Sequence, residues 1–166
     1  FPKDIAVDAL GNVYVADSFN HRIQKFSASG VFITEWGAHG RGDGEFEYPE
    51  GIAIDAQGHL FVADSSGIQK FSSSGSFISR WGGEDGDDVE FSTPTGIAID
   101  GEGSVYVAVR NSQAVLKFNS SGMFLARWGS NGSGDGEFEL PHGIASDVQG
   151  NVYVVDTGNN RIQKFS

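Results

Sequence analysis

Four residues that could bind a ligand each stand directly after a proline, at nearly equal intervals along the chain. They are Lys3, Glu50, Thr95 and His142, and the prolines before them are 47, 45 and 47 residues apart. If the interval reflects a repeat, the four side chains lie at one height around a common axis. Mixed charge around a concave mouth suits a small ligand or a metal ion. The simpler interpretation is the polar lining of a water-filled channel.

Metal-ligating residue types occur in two places, and neither forms a complete set. Catalytic zinc usually has three protein ligands and a water, whereas His142 and Glu50 supply two. The acidic run EDGDD contains Asp85 and Asp87 as candidate calcium ligands, but it lacks the full EF-hand pattern. We therefore expect a solvated acidic loop and no cofactor, with calcium or zinc as the alternative.

Composition narrows the function classes. The 166 residues include no cysteine, which excludes disulfides, thiolate metal sites and cysteine nucleophiles. The formal net charge of −11 disfavours nucleic acid and anionic lipid as partners. No apolar stretch is long enough for a membrane span, and no Gly-x-Ser-x-Gly or Gly-Lys-Ser/Thr motif indicates a nucleophile or a phosphate site.

The elements that would position these residues recur along the chain. After each proline comes a short apolar run that ends on an aspartate, and a glycine follows three residues later. The aspartates are Asp8, Asp55, Asp100 and Asp147. In each repeat a second segment follows, which reads NVYVAD, HLFVAD, SVYVAV and NVYVVD in turn. A third segment then reads RIQKF, GIQKF, AVLKF and RIQKF. We interpret the chain as one domain with repeats at about 2–48, 49–93, 94–140 and 141–166, the last incomplete.

Each repeat contains four short apolar segments separated by turn residues, which predicts four antiparallel strands. Four such strands in about 45 residues are typical of one blade of a β-propeller. Small residues suit the crowded innermost strand, and the recurring Trp and Phe suit packing between blades. The small residues are Ala6, Ala53, Ala98 and Ala145.

The motifs P-x-G-I-A-x-D, G-N-V-Y-V-A-D, N-x-R-I-Q-K-F and W-G…G-D-G-E-F resemble the NHL repeat over essentially the whole chain. The resemblance implies an all-β propeller of four-stranded antiparallel blades, commonly six-bladed. Either four blades form the whole ring or they are part of a larger or shared ring. Because an open arc exposes apolar flanks, we expect further chain or a second copy to cover them. The missing last strand of the fourth repeat favours further chain.

Function is expected where the repeats differ, in the loops on one face of the propeller. The candidate binding residues of these loops are Phe19, Asn20, His21, Arg110, Asn111, Asn159 and Asn160. Phe19 stands out because it is apolar in an otherwise polar loop and could anchor a partner. The alternative is an isolated surface aromatic.

We interpret the chain as a non-enzymatic scaffold that binds another protein or a second copy of itself, without nucleic acid binding or membrane insertion. The first alternative is a metal-dependent lyase or hydrolase at the channel mouth, since amidating lyases that resemble NHL proteins place zinc-binding His residues there and His142 matches one. The second alternative is RNA binding, which the acidic charge disfavours. The sequence does not determine the cellular compartment, and we favour a secreted or cell-surface location.

Overall fold

A computed structural model describes residues 1–82, 91 and 93–166. Within them the chain forms fifteen β-strands in four antiparallel sheets, in which each strand pairs with the next one along the chain. The sheets are the blades of a propeller. Three blades have four strands, and the fourth has three among the described residues.

The strand bounds follow the sequence repeats closely. Blade 1 contains β1 (Pro2–Val7), β2 (Val13–Asp17), β3 (Arg22–Phe26) and β4 (Phe32–Trp36), with a 3-10 turn at Ser18–Asn20. Blade 2 contains β5 (Gly51–Ile54), β6 (Leu60–Asp64), β7 (Gly67–Phe71) and β8 (Phe77–Trp81). Blade 3 contains β9 (Pro94–Ile99), β10 (Val105–Val109), β11 (Ala114–Phe118) and β12 (Phe124–Trp128). Blade 4 contains β13 (Pro141–Ser146), β14 (Val152–Asp156) and β15 (Arg161–Phe165).

The Asp-x-x-Gly spacing that recurs in the four repeats builds the first turn of every blade. The Asp8 carboxylate accepts hydrogen bonds from the N–H groups of Leu10 and Asn12 at 2.9 and 2.8 Å. Gly11 has a φ of 81°, which a residue with a Cβ adopts only under strain. Asp55, Asp100 and Asp147 make the same bonds in their own blades. These aspartates are therefore used by the fold.

The hydrophobic core lies between the blades. Inner strands β1, β5, β9 and β13 contact one another in chain order. The face of a blade that packs on the next blade along the chain is called its forward face, and the face that packs on the preceding blade is called its backward face. Each face of a junction contributes one set of apolar side chains. Between blades 1 and 2, the forward residues Tyr14 and Ile23 pack with the backward residues Val62 and Phe71. Equivalent clusters lie between blades 2 and 3 and between blades 3 and 4.

The outer tryptophans are packed by glycines of the following blade. A Cβ on Gly75 would come within 2.7 Å of the Trp36 indole, and a Cβ on Gly122 within 2.6 Å of Trp81. Both glycines stand in the turn between the third and fourth strands of their blade. These turns, which have the sequence pattern Ser/Asn-x-Ser-Gly, thus also pack two junctions between blades.

Candidate functional site

One buried carboxylate holds the loop between β2 and β3. Asp17 accepts hydrogen bonds from Arg22 Nε at 2.9 Å, from Asn20 Nδ2 at 2.9 and 3.1 Å, and from Gln24 Nε2 at 3.1 Å. Burial raises the pKa of Asp17, but the hydrogen bonds from Asn20 and Arg22 outweigh burial and hold this pKa below its ordinary value. The Asn20 amide is therefore engaged inside the loop.

The fourth blade repeats this arrangement. Asp156 is fully buried and accepts hydrogen bonds from Asn159 Nδ2 at 2.9 Å, Arg161 Nε at 2.8 Å and Gln163 Nε2 at 3.1 Å. Burial raises the pKa of Asp156. A hydrogen bond from the N–H of Glu139 and the three side-chain bonds outweigh burial, so the pKa of Asp156 lies below its ordinary value. Asn159 thus has the role of Asn20.

Phe19 is exposed and lies in a cluster of aromatic and imidazole rings, in which His21 is partly buried. The Phe19 side chain is 56% exposed and contacts Phe1 and Tyr48 edge to face, with ring centroids 5.4 and 6.0 Å apart. Tyr48 is 46% exposed and lies 5.1 Å from the His21 ring, which lies 4.5 Å from the His39 ring. We call these five residues the aromatic patch. They come from four separate segments, namely Phe1 at the start of the sequence and three segments of the first repeat.

Charged side chains border the aromatic patch. Arg41 Nη2 lies 2.9 Å from Glu47 Oε2, and Ser65 Oγ donates to the same oxygen at 3.3 Å. The hydrogen bond from Arg41 lowers the pKa of Glu47. An apolar centre with a polar rim is the usual composition of a protein-binding surface.

The other repeats serve as an internal control for the aromatic patch. Phe19 corresponds to Asn111 in the third repeat and Gly158 in the fourth, and His39 corresponds to Asn131 in the third. His21 corresponds to Gln113 and Asn160, and Tyr48 to Thr93 and Leu140. His21, Gln113 and Asn160 share a left-handed φ of 49 to 53°. At the His21 position the backbone is thus the same while the side chains differ, so this turn does not require an aromatic residue. Thr93 and Leu140 have left-handed φ values of 63° and 52°, whereas Tyr48 does not, so at that position both the side chain and the backbone differ between repeats.

The remaining predicted loop residues belong to other junctions between blades. Arg110 and Asn111 are exposed, and Asn111 Nδ2 donates to Thr93 Oγ1 at 2.8 Å. Asn160 is exposed in the fourth blade. The structure therefore brings Phe19 and His21 together with three residues that the sequence did not single out, and it places Arg110, Asn111 and Asn160 in loops of the third and fourth blades.

The four residues after the prolines line one cavity of about 150 Å³. Lys3 Nζ lies 3.6 Å from Glu50 Oε1, while His142 is exposed. Thr95 is buried, and its hydroxyl lies 3.1 to 3.3 Å from three backbone carbonyl oxygens, those of Ala108, Pro141 and His142. The Thr95 hydroxyl of blade 3 therefore donates a hydrogen bond within reach of the backbone carbonyl oxygens of blade 4.

Asp4 is a fifth polar residue of this cavity that the sequence analysis missed. Its carboxylate accepts hydrogen bonds from the N–H of Ile5 at 2.8 Å and of Ile52 at 2.9 Å. Burial raises the pKa of Asp4, and these bonds only partly offset the effect of burial. The other repeats have Gly51, Gly96 and Gly143 at this position. That departure from P-x-G was the signal that could have identified Asp4.

The described residues contain neither a cluster of metal-ligating side chains nor a helix that could span a membrane. Among residues 1–82, 91 and 93–166, no three His, Cys, Asp or Glu side chains are grouped to hold a metal ion. Asp85 and Asp87 of the acidic run lie outside the described residues. No helix in the described ranges is long and apolar enough to cross a membrane.

Comparison with known families assigns the repeat. A family model described as NHL repeat matches residues 1–26, 46–67 and 138–165. Three of the four repeats of this chain match the NHL repeat. This confirms the resemblance predicted from the motifs, and the four blades confirm the predicted all-β propeller.

Relatives of this NHL chain include both enzymes and other proteins. Peptidyl-glycine alpha-amidating monooxygenase B of Xenopus laevis is 53% identical over 38 residues, which are 22% of this chain and 4% of that protein. The monooxygenase of Mus musculus is 44% identical over 54 residues, 29% of this chain and 6% of that protein. Protein brain tumor of Drosophila melanogaster is 42% identical over 48 residues, 29% of this chain and 5% of that protein. The matched segments are thus small parts of all three.

Solved structures share the fold over nearly all of the NHL chain. A streptogramin B lyase has a TM-score of 0.70 at 17% identity, covering 98% of this chain and 53% of that one. A chain of a nidogen/laminin complex has a TM-score of 0.75 at 23% identity, covering 99% and 60%. At these identities the similarity shows the propeller fold alone.

Proposed function

We propose that this chain is a non-enzymatic scaffold that binds a protein partner through the aromatic patch at the junction of blades 1 and 2. The observation that carries the proposal is the difference between repeats. Rings of Phe19 and Tyr48 are exposed side by side where the third and fourth repeats place Asn, Gly, Thr and Leu. The proposal requires no metal or cofactor.

The chemistry of the aromatic patch suits a peptide or protein surface. Aromatic residues bury large areas at low cost in side-chain entropy, and they are enriched at binding hot spots. Asn20 and Arg22, which lie near Phe19 in the loop, are fixed by their hydrogen bonds to Asp17, and this limits reorganisation of the loop on binding. The chain of the nidogen/laminin complex supports a role for such a propeller in protein interaction.

We predict that a double variant, Phe19→Ala with Tyr48→Ala, loses binding to peptides selected on the wild-type protein. A displayed library of random peptides is enriched on the immobilised chain, and the affinity of the winners is then measured by calorimetry. Because truncating a hot-spot residue costs more than 1 kcal/mol, we expect binding at least about tenfold weaker for the pair.

A matched control separates this effect from a general loss of apolar surface. Ile78 and Leu125 are 46% and 45% exposed at equivalent positions of β8 and β12, away from the aromatic patch. Ile78→Ala with Leu125→Ala is expected to bind the selected peptides like the wild type. Equal affinity of the wild type and the Phe19/Tyr48 variant would refute the proposed site.

A further inference from the structure

The backward face of blade 1 exposes apolar side chains whose equivalents in blades 2 and 3 pack on the preceding blade. Ile5 is 60% exposed and Val7 is 59% exposed. The repeat equivalents of Ile5 in blades 2 and 3 are Ile52 and Ile97, which are 4% and 5% exposed because they pack on the preceding blade. Blade 1 thus carries one complete half of an interface between blades.

The forward face of blade 4 carries the other half. Ile162 is 68% exposed and Val155 is 41% exposed. Their equivalents in blade 1, Ile23 and Ala16, are both fully buried against blade 2. Inside the chain, these two kinds of face meet three times, at each junction between consecutive blades.

A polar pair on blade 4 is also prepared for the same neighbour. Lys164 Nζ lies 5.4 Å from the centre of the Tyr153 ring, as Lys25 Nζ lies 4.9 Å from that of Tyr14 in blade 1. In blade 1, Lys25 Nζ donates to the backbone oxygen of Ser73 in blade 2 at 3.0 Å. Tyr14 Oη lies 3.3 Å from the same oxygen and 3.1 Å from Asp8 Oδ2. Tyr153 Oη likewise donates to Asp147 Oδ2 at 3.0 Å.

The acceptor for this pair is present at the opposite end of the chain. In blade 1, the residue equivalent to Ser73 is Ala28, and Ala28 lies in an exposed turn. A second copy that placed its blade 1 against blade 4 would bring the Ala28 carbonyl to Tyr153 and Lys164. The polar contact seen inside the chain would then be repeated between copies.

We propose that two copies of this chain associate head to tail, with the forward face of blade 4 in one copy on the backward face of blade 1 in the other. A second copy is the occupant because one chain carries both complementary halves, apolar and polar. Such an interface is heterologous, so it closes into a ring or extends.

The contact between copies is weaker than the junctions within a chain. Gly75 and Gly122 each pack on a tryptophan of the preceding blade, whereas blade 4 has no fourth strand among the described residues. The Gly30 turn of the second copy therefore lacks that contact. Association is reversible and depends on protein concentration.

Sedimentation velocity over about 1 to 200 µM tests the proposal. The wild-type chain forms dimers as its concentration rises, while Ile5→Lys alone and Ile162→Glu alone shift the midpoint at least about tenfold upward. Mixing these two variants restores dimers, because one interface keeps both isoleucines and the other pairs Lys with Glu. Restoration on mixing shows that both variants are folded.

Two further samples make the outcome decisive. Ile78→Glu, which is exposed but lies outside both faces, dimerises like the wild type. Phe19→Ala with Tyr48→Ala also dimerises normally, so failure of the aromatic patch and failure of this proposal are told apart. A wild-type monomer throughout, or dimers unaffected by Ile5→Lys and Ile162→Glu, would overturn the proposal.

Discussion

Replacing Phe71 with alanine is expected to lower the free energy of unfolding by about 3 to 5 kcal/mol, the usual loss for a buried phenylalanine. The Phe71 side chain is fully buried between blades 1 and 2, and its ring centroid lies within 6.0 Å of those of Trp36, Phe46 and Phe77. Removing it opens a cavity whose aromatic walls cannot collapse without moving two blades. Urea unfolding followed by circular dichroism measures the loss.

Phe26→Ala is the matched control for that variant. Phe26 has the same repeat position in blade 1, but its face has no preceding blade to pack on, and it is only partly buried beside Phe32. We expect a smaller loss of about 1 to 2 kcal/mol, at protein concentrations below the onset of dimerisation. Equal losses for Phe71→Ala and Phe26→Ala would show that contacts between blades do not dominate stability.

The second large effect concerns the buried carboxylate of blade 4. Asp156→Val is expected to cost about 3 to 5 kcal/mol, because Arg161 and the N–H of Glu139 lose a buried charged acceptor. Adding Arg161→Ala to that variant is expected to cost less than Arg161→Ala costs in the wild type. The ion pair with Asp156 is then already lost, and only the bonds from Arg161 to the carbonyl oxygens of Gly134 and Glu137 remain to be removed. The same unfolding measurement on the wild type, both single variants and the double variant gives the coupling.

Blade 3 shows that the fold accepts the apolar alternative. It has Val109, Ala114 and Leu116 where blade 4 has Asp156, Arg161 and Gln163, and all three are fully buried. The polar set in blade 4 also serves the preceding loop, since Gln163 Nε2 donates to the Glu137 carbonyl at 2.6 Å. If the losses from Asp156→Val and Arg161→Ala simply added, the two side chains would not act as a pair.

The repeat made the fold predictable. The chain repeats its prolines, Asp-x-x-Gly turns and alternating apolar residues four times. Each local indication of a strand or a turn is therefore supported by several occurrences. The strand bounds match them, as in β2 at Val13–Asp17 and β14 at Val152–Asp156. A single occurrence of VYVAD would not have distinguished a blade from another kind of sheet.

The aromatic patch could be predicted only in part. Phe19 was identified because it is apolar in a polar loop, but Tyr48 and His39 lie in a different part of the repeat, 29 and 20 residues away. Their proximity depends on how the loop after blade 1 folds back along blade 2, which no local pattern encodes. Comparing Tyr48 with Thr93 and Leu140, the residues that precede the later prolines, was the available clue.

The cavity lined by the four residues after the prolines, which we call the axial cavity, differs from the aromatic patch in that its residues could be grouped from the sequence but their contacts could not. The nearly equal spacing after the prolines predicted that Lys3, Glu50, Thr95 and His142 lie at one height around an axis, and all four line one cavity. It could not show that the Thr95 hydroxyl is engaged by backbone carbonyl oxygens or that Lys3 and Glu50 lie 3.6 Å apart. Those contacts are three-dimensional details of neighbouring blades.

Hydroxyl-radical footprinting of the chain with and without a selected peptide tests the central claim most directly. The account predicts that oxidation of Phe19, Tyr48 and His39 falls on binding while oxidation of His142 in the axial cavity stays the same. Protection of His142 with unchanged oxidation of Phe19 and Tyr48 would place the ligand in the cavity, and it would contradict the assignment of the aromatic patch as the binding surface.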